Sequence, residues 1–243
     1  MSYRKLSNTP FIINSENEIS GVQDIDDGQE HVFVYQGEPT NSVMFDVTPD
    51  TSQSLRVGEA RWNTADGTLD LQISENVTLQ LGQEQNKRFR NNTEATIVNG
   101  SAVYITGSTG TFATMSLAQA NVESTSSVVI GVTTEDVAKN KEGYVTTFGL
   151  VRDIDTSALT EGAAVWLSPS TPGALTTTKP SAPNHLVLIG YCIRSHPKLG
   201  SVFVKVQNGY EIEELHNVQI TNPQNGDVLK YNATTKVWYN TQP

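Results

Sequence analysis

One pattern of glycines and strand-forming residues occurs twice in the sequence. The stretch Gly100–Gly110 opens with Gly-Ser-Ala-Val-Tyr, and Gly162–Gly173 opens with Gly-Ala-Ala-Val-Trp. The likeness continues where Val129-Ile-Gly131 matches Leu188-Ile-Gly190. An offset of about 60 residues is typical of duplicated structural units. Because the repeated positions are glycines and apolar residues, and not acids, bases or nucleophiles, the pattern predicts a duplicated scaffold.

Most of the chain consists of short β-branched or aromatic runs bounded by Gly, Pro, Asn, Asp and Ser. Evenly spaced runs of this kind indicate an all-β barrel or sandwich. The sequence therefore predicts an all-β fold built from two pseudo-repeated β units, with an N-terminal β region and a C-terminal hairpin module. Two segments, Leu117–Val122 and Glu135–Lys141, are the candidates for short helical turns.

The runs group into four regions with different expected roles. Residues 1–56 are expected to form an attachment or adaptor region, and residues 57–74 a connecting β-hairpin with an Asp-Gly turn signal. Residues 75–207 hold the duplicated, barrel-like domain, and residues 208–243 form a docking or oligomerisation module.

The C-terminal region contains its own hairpin. Asp227–Tyr231 and Lys236–Tyr239 are strand candidates that flank an Asn-Ala-Thr-Thr turn. A lone hairpin of this size is marginally stable in water, so it should dock on the barrel or on a copy of itself. The candidate interface residues are Phe11, Ile12, Leu229, Tyr231 and Trp238.

The charge of the chain excludes several partners. The formal net charge is −10, and the 16 Lys and Arg residues are dispersed, with the densest cluster at Lys87–Arg90. Nucleic acids and anionic membranes are recognised by clustered basic residues, so we expect neither as a partner. Met1 is not followed by an apolar signal region, and no run of 18 apolar residues occurs. We therefore expect synthesis in a cytosol without membrane insertion.

The sequence offers no catalytic, cofactor-binding or metal-binding residues. None of its four histidines has a second His, Cys or acid at metal-ligand spacing, and His185 is interpreted as a strand-edge residue. The single cysteine, Cys192, lies in an apolar run and is expected to be buried. Asp24–Gly28 is interpreted as a turn, because a calcium loop that began at Asp24 would need Glu where Tyr35 stands.

Two acidic pairs and four aromatic residues leave alternatives open. The carboxylates of Asp153–Asp155 and Glu211–Glu214 are expected on strand edges, although paired carboxylates are also the signature of glycan-cleaving enzymes. Trp62 and Trp166 are interpreted as core residues; the alternative is that they stack on sugars, together with Tyr104 or Tyr144. The aromatic residues support a carbohydrate-binding adhesin as the alternative function.

Several motifs resemble segments of tailed-bacteriophage structural proteins often labelled tail fibre proteins. They are Val57–Leu71, Asn76–Glu84, Val129–Thr134, Gly143–Gly149, Asp155–Ser157 with Glu161-Gly162, Ala182–Val187, and Glu214–Val218 with Asn225–Tyr231. The repeated region is similar, more loosely, to small capsid-decoration proteins built as β barrels. The resemblance implies a virion component that is commonly a homotrimer and lacks enzymatic activity and cofactors. It also implies contacts with the capsid, the portal or neck, or the tail.

These observations lead to one functional hypothesis. The chain is expected to be a non-enzymatic structural protein of a tailed-phage virion, namely a fibre, an adaptor or a capsid-decoration protein. The alternative is an adhesin that binds a host surface glycan, and a glycan-cleaving enzyme is a third class.

Overall fold

The computed structural model describes residues 45–243 and, of the preceding residues, the backbone of three short strands. The chain divides into two compact units, Met1–Phe45 and Asp46–Pro243. In the first unit, β1 (Phe11–Ile13), β2 (Ile19–Gln23) and β3 (Glu30–His31) form an antiparallel sheet in that order. The predicted turn at Asp24–Gly28 lies outside the described residues.

The regular secondary structure of the second unit is almost entirely β-strand. Its elements are, in chain order, β4 (Ala60–Asn63), β5 (Thr68–Ser74), β6 (Val77–Leu81), β7 (Gln85–Asn91), β8 (Ala102–Thr109), β9 (Phe112–Leu117), the helix α1 (Glu123–Ser126), β10 (Val129–Thr133), β11 (Glu142–Ile154), β12 (Ala164–Leu167), β13 (Leu175–Thr176), β14 (Val187–Arg194), β15 (Gly200–Asn208), a 3-10 turn (Ile212–Glu214), β16 (Val218–Gln219), β17 (Val228–Asn232) and β18 (Val237–Thr241). The predicted all-β fold is confirmed.

Five of these strands close into a small barrel. The pairing runs β8–β9–β7–β11–β10 and returns from β10 to β8. The β7–β9 pair is parallel and the other pairs are antiparallel. Phe89, Val103, Met115 and Val145 come from four different strands and meet in one buried cluster. This cluster is the first hydrophobic core.

The strand β11 continues beyond this barrel into a second set of strands. Its C-terminal half pairs with β15, and the sheet extends from β15 through β14 and β12 to β13. The second core includes Val151 of β11, Val165 of β12, Ile189 of β14 and Val204 of β15. The two cores are therefore joined by one 13-residue strand.

The two repeated segments have the same strand order and the same register. In the first, β9, β8, β10 and β11 are neighbours in that order, and in the second β13, β12, β14 and β15 are. The matching cross-strand pairs are Val103 with Gly131, Val165 with Gly190, Tyr104 with Val129, and Trp166 with Leu188. Their origin by duplication stays a prediction.

The equivalent glycines Gly131 and Gly190 each sit against the backbone of a neighbouring strand. A Cβ atom at Gly131 would lie 2.2 Å from the carbonyl oxygen of Thr146, and one at Gly190 would lie 1.8 Å from that of Phe203. Contacts this short are impossible for a side chain, so close approach of the backbone explains why both segments have glycine here.

The predicted helical turns are wrong. Leu117–Val122 ends strand β9 and enters a turn, and Glu135–Lys141 forms bends and turns. Val137 in the second segment instead makes an antiparallel bridge with Ile97, and both side chains are buried in the first core. Tertiary burial of an apolar pair thus overrides weak local helix propensity. Within the described residues, no helix is long and apolar enough to cross a membrane.

Candidate interaction surfaces

The C-terminal residues form a separate three-stranded sheet. Strands β17 and β18 make the predicted antiparallel hairpin, and the short strand β16 adds to β18 in parallel. At the hairpin turn, the side-chain oxygen of Asn232 accepts hydrogen bonds from the backbone N–H groups of Thr234 (3.0 Å) and Thr235 (3.2 Å). This Asx turn fixes the register of the two strands.

One face of this C-terminal sheet is largely apolar and exposed, with the polar Asn240 opposite Leu229. Tyr231 lies opposite Trp238, which is also the partner of Val218, and Leu229 precedes Tyr231 on the same face. The rings of Tyr231 and Trp238 are 5.2 Å apart between centroids. Leu229, Tyr231 and Trp238 remain 39%, 46% and 42% exposed. We call Val218, Leu229, Tyr231 and Trp238 the C-terminal apolar face.

The other predicted site residues are distributed over the molecule. Phe11 and Ile12 lie in strand β1, of which only the backbone is described. Trp62 lies on β4 and Trp166 on β12, which belong to different sheets. The Lys179 ammonium group lies 5.6 Å from the centre of the Trp166 ring. The structure therefore brings together three of the predicted residues: Leu229, Tyr231 and Trp238.

Strands β4, β5 and β6 form a second three-stranded sheet whose polar face is occupied by the chain itself. Arg61, Asp70 and Gln80 lie in one cross-strand row. The guanidinium group of Arg61 donates to the backbone oxygens of Asp50 (3.3 Å) and Gln53 (2.8 Å). Gln80 is buried. The polar side of this sheet therefore faces inward.

An ion pair attaches this sheet to the barrel. The Arg152 side chain, on β11, pairs with the carboxylate of Glu84 and also donates to the side-chain oxygen of Gln80. The Glu84 side chain is 2% exposed, and it also accepts the backbone N–H of Gln80 at 3.1 Å. A carboxylate this buried requires such partners, so Arg152 anchors the sheet through its polar face.

The opposite face of the β4–β6 sheet is mainly apolar, with Ser74 and the buried Val77 at one end. The register and the alternation of the strands place on it Ala60, Trp62, Leu69, Leu71, Leu79 and Leu81. None of them belongs to the two hydrophobic cores of the described residues. All are half-buried apart from Leu81, which is 41% exposed. We call these six residues the β4–β6 apolar face.

Sequence reasoning did not identify this second apolar face. The signal was present, because Trp62, Leu69 and Leu71 alternate with polar residues. Trp62 is interpreted from the sequence as a core residue, whereas the barrel contacts the polar face of its sheet. No local feature of the strands indicates that choice.

A cluster of ionisable side chains lies where the C-terminal residues meet the barrel. Nδ1 of His185 is 2.8 Å from a carboxylate oxygen of Glu211 and 3.1 Å from one of Glu123. Burial raises the pKa of Glu123, and the neighbouring carboxyl group of Glu214 raises it further. The pKa of Glu214 is lowered by the backbone N–H of Glu211 and by a hydrogen bond with Glu123. The cluster links helix α1, the start of β14 and the 3-10 turn.

Two other residues that the sequence singled out, Cys192 and Asp155, have shifted pKa values. Cys192 is buried, and its burial, followed by the charge of Glu161, raises the pKa of its thiol. Asp155 accepts hydrogen bonds from Ser157, first through the side chain, and these lower the pKa of its carboxyl group. Within residues 45–243, no three His, Cys, Asp or Glu side chains are grouped so that they could hold a metal ion.

Comparison with known proteins adds no family. No protein-family model matches the chain, and no curated protein matches it.

Proposed function

We propose that the chain is a non-enzymatic structural component of a tailed-phage virion that assembles with copies of itself. The observation that carries this proposal is the C-terminal apolar face. The strand and turn motifs that resemble phage fibre and decoration proteins support the virion role.

The C-terminal sheet is incomplete as a folded unit in one chain. A small sheet needs three or more strands with a hydrophobic face, or packing against a helix, to be independently stable. Here the described residues of the chain leave Tyr231 and Trp238 roughly half exposed. Aromatic side chains bury 150–250 Å² each when fully covered. Their burial between copies supplies a driving force that the single chain lacks.

The proposed assembly is a homotrimer located in the virion. Residues 1–56 attach it to the capsid, the portal or neck, or the tail, and residues 208–243 hold the copies together. The resemblance to trimeric fibre proteins is the argument for three copies. The acidic surface, with a net charge of −10, limits non-specific association with nucleic acid and anionic membranes.

Size-exclusion chromatography with light scattering tests the self-assembly. The chain has a mass of 26.5 kDa, and we expect about three times this mass at micromolar concentration. Tyr231→Asp places a charge on the C-terminal apolar face and should weaken association by roughly 30-fold or more. Thr234→Asp, in the exposed hairpin turn, makes the same change of charge and is the matched control.

Two results would contradict the proposal. A wild-type chain that stays monomeric at micromolar concentration excludes self-assembly of this kind. Mass spectrometry of purified particles tests the virion role separately. A structural component must be found in the particle, so its absence there excludes the virion role.

A further inference from the structure

A pocket of about 330 Å³ lies where the two repeated segments meet. Its walls come from residues 98–101 at the start of the first segment, residues 154–155 and 158–159 between the segments, and residues 172–175 at the end of the second. Pockets that hold small ligands measure roughly 300–1,000 Å³ and are mostly apolar, with a few polar groups that orient the ligand. We call this pocket the junction pocket, and its volume suits a small molecule or one side chain.

Backbone hydrogen bonds hold the walls of the junction pocket in place. The N–H of Ala102 donates to the carbonyl oxygen of Gly173 (2.9 Å), and the N–H of Gly173 donates to that of Ala118 (2.7 Å). The N–H of Gly100 donates to the carbonyl oxygen of Thr133 (2.9 Å). The folded chain therefore forms the pocket without a ligand, which lowers the cost of ordering the site on binding.

The greater part of the pocket surface is apolar. Ile154 and Leu159 belong to the second hydrophobic core and line the pocket. Val98 also lines it and is 58% exposed. Because removing apolar surface from water favours binding, a ligand for this pocket should have an apolar part that covers these side chains.

One carboxylate sets the charge of the junction pocket. Asp155 is the only charged residue that lines it in the described part of the chain. Ser157 donates to Oδ1 of Asp155 through its backbone N–H (2.9 Å) and its hydroxyl group (2.6 Å). These bonds, the hydroxyl's first, lower the pKa of the Asp155 carboxyl group, so it is ionised at neutral pH. Its Oδ2 atom accepts no hydrogen bond from the described residues and fits a positively charged donor.

A second acceptor lies in the wall of the pocket. Asn99 lines the pocket, and its Oδ1 atom is buried without a hydrogen-bond donor among the described residues. A buried acceptor that lacks a donor is costly. A ligand with N–H groups can supply the missing donor, whereas an anion would be repelled by Asp155.

We propose that the junction pocket binds a primary alkylammonium group, with its apolar part against Ile154 and Leu159 and its charge beside Asp155. An ammonium group combines a compact charge with three N–H donors. A free aliphatic amine and a lysine side chain of another protein both present this chemistry. The inference is independent of the proposed self-assembly, because the pocket contains no residue of the C-terminal apolar face.

Ligand-observed NMR of the full chain, with hexylammonium as the probe, tests the inference. We expect a dissociation constant on the order of 1 mM. Hexanoate has the opposite charge and should bind roughly tenfold more weakly. Asp155→Asn should weaken the binding of hexylammonium by about fivefold, because Asp155 is exposed and solvent screens its charge. Asp153→Asn is the matched control, since Asp153 is also exposed but does not line the pocket, and its affinity should equal that of the wild type.

Filling the junction pocket tests its location. Ala158 lines the pocket and is exposed, so Ala158→Trp can place its ring there without disturbing a core. The affinity for hexylammonium should then fall by more than about tenfold. Thr160→Trp adds the same ring at an exposed position outside the lining and should leave the affinity unchanged.

A second probe, Nα-acetyl-lysine methylamide, separates the two sources of the ammonium group. Binding of both probes supports the inference and indicates a lysine side chain of a partner protein. Binding of hexylammonium alone supports it and indicates a free amine.

Three results would overturn the inference: a wild-type chain that binds neither probe, an affinity that Ala158→Trp leaves unchanged, or one that Asp155→Asn leaves unchanged. Each of these leaves self-assembly standing, because light scattering measures it separately. A monomeric chain that binds hexylammonium overturns self-assembly alone.

Discussion

The barrel region and the two small sheets use the same alternating strands, yet they bury them differently. In the barrel and the second set of strands that β11 joins to it, Val103, Val145, Val165 and Val204 are fully buried, because strands from several directions enclose each core. In the β4–β6 sheet, Val77 is the one apolar strand residue that is buried among the described residues. Alternation alone thus creates an apolar face, and a second layer is needed to make a core.

This comparison separates two sources of stability. The barrel depends on contacts within one chain, so its variants should change the free energy of unfolding of that chain. Under the proposed self-assembly, variants on the exposed C-terminal apolar face should act mainly on association. Three further substitutions test this separation, in order of expected effect.

Gly190→Ala should produce the largest effect, because an added side chain would collide with the backbone of the neighbouring strand in the second set of strands. Its Cβ would lie 1.8 Å from the carbonyl oxygen of Phe203, so strands β14 and β15 must separate. We expect a loss of at least about 4 kcal/mol in the free energy of unfolding, measured with urea. Such a loss is a large part of the total stability of a typical domain.

Gly226→Ala in the C-terminal region is the matched control. Gly226 has a φ of +92°, and an added Cβ would meet nothing within 4 Å. The cost is then backbone strain alone, about 1–2 kcal/mol. Equal losses for the two variants would show that close packing at Gly190 is unimportant.

Arg152→Met should produce the second-largest effect, because it breaks the attachment of the β4–β6 sheet. It leaves the buried carboxylate of Glu84 without its charged partner, which costs about 3 kcal/mol in urea unfolding. Adding Glu84→Gln removes the isolated charge and should recover part of this loss.

An exposed ion pair provides the control for that experiment. Lys139 pairs with Glu94 at the surface, and Lys139→Met should cost less than about 1 kcal/mol. If Arg152→Met costs no more than Lys139→Met, the pair with Glu84 does not anchor the sheet.

The sequence alone was sufficient to predict the all-β class and the C-terminal hairpin. The hairpin was predictable because its apolar runs flank Asn232, which forms the turn locally. The bridge between Ile97 and Val137 was missed, because a contact over 40 positions has no local signal. The inward direction of the polar β4–β6 face was missed for the same reason, since it depends on Arg152 in a distant strand.

The His185 cluster could not be predicted either, because its members are far apart in the sequence. The pKa shifts of its carboxyl groups predict how pH affects the docking of the 3-10 turn against the barrel. The pKa of Glu123 is raised above the ordinary 4.5. The protonated form of this carboxyl group therefore stabilises docking at low pH, and this stabilisation is lost as the pH rises from 4.5 through the raised pKa. The pKa of Glu214 is lowered. Its ionised form therefore stabilises docking, and this stabilisation is lost as the pH falls below 4.5. Docking should therefore be strongest at the pH between these two losses.

The smallest expected effect is therefore a pH dependence confined to the junction of the C-terminal residues with the barrel. Hydrogen-exchange protection of Ile212–Leu215 should be greatest near pH 4.5 and fall on either side, with the barrel strands unchanged. Glu123→Gln supplies a permanently neutral partner for Glu214, so the loss of protection at higher pH should disappear while the loss at lower pH remains. Both carboxyl groups are near the surface, so the change in protection should be no more than about fivefold. A variant with the same pH profile as the wild type would show that the Glu123–Glu214 pair does not control docking, and the C-terminal sheet would then depend on its apolar face alone.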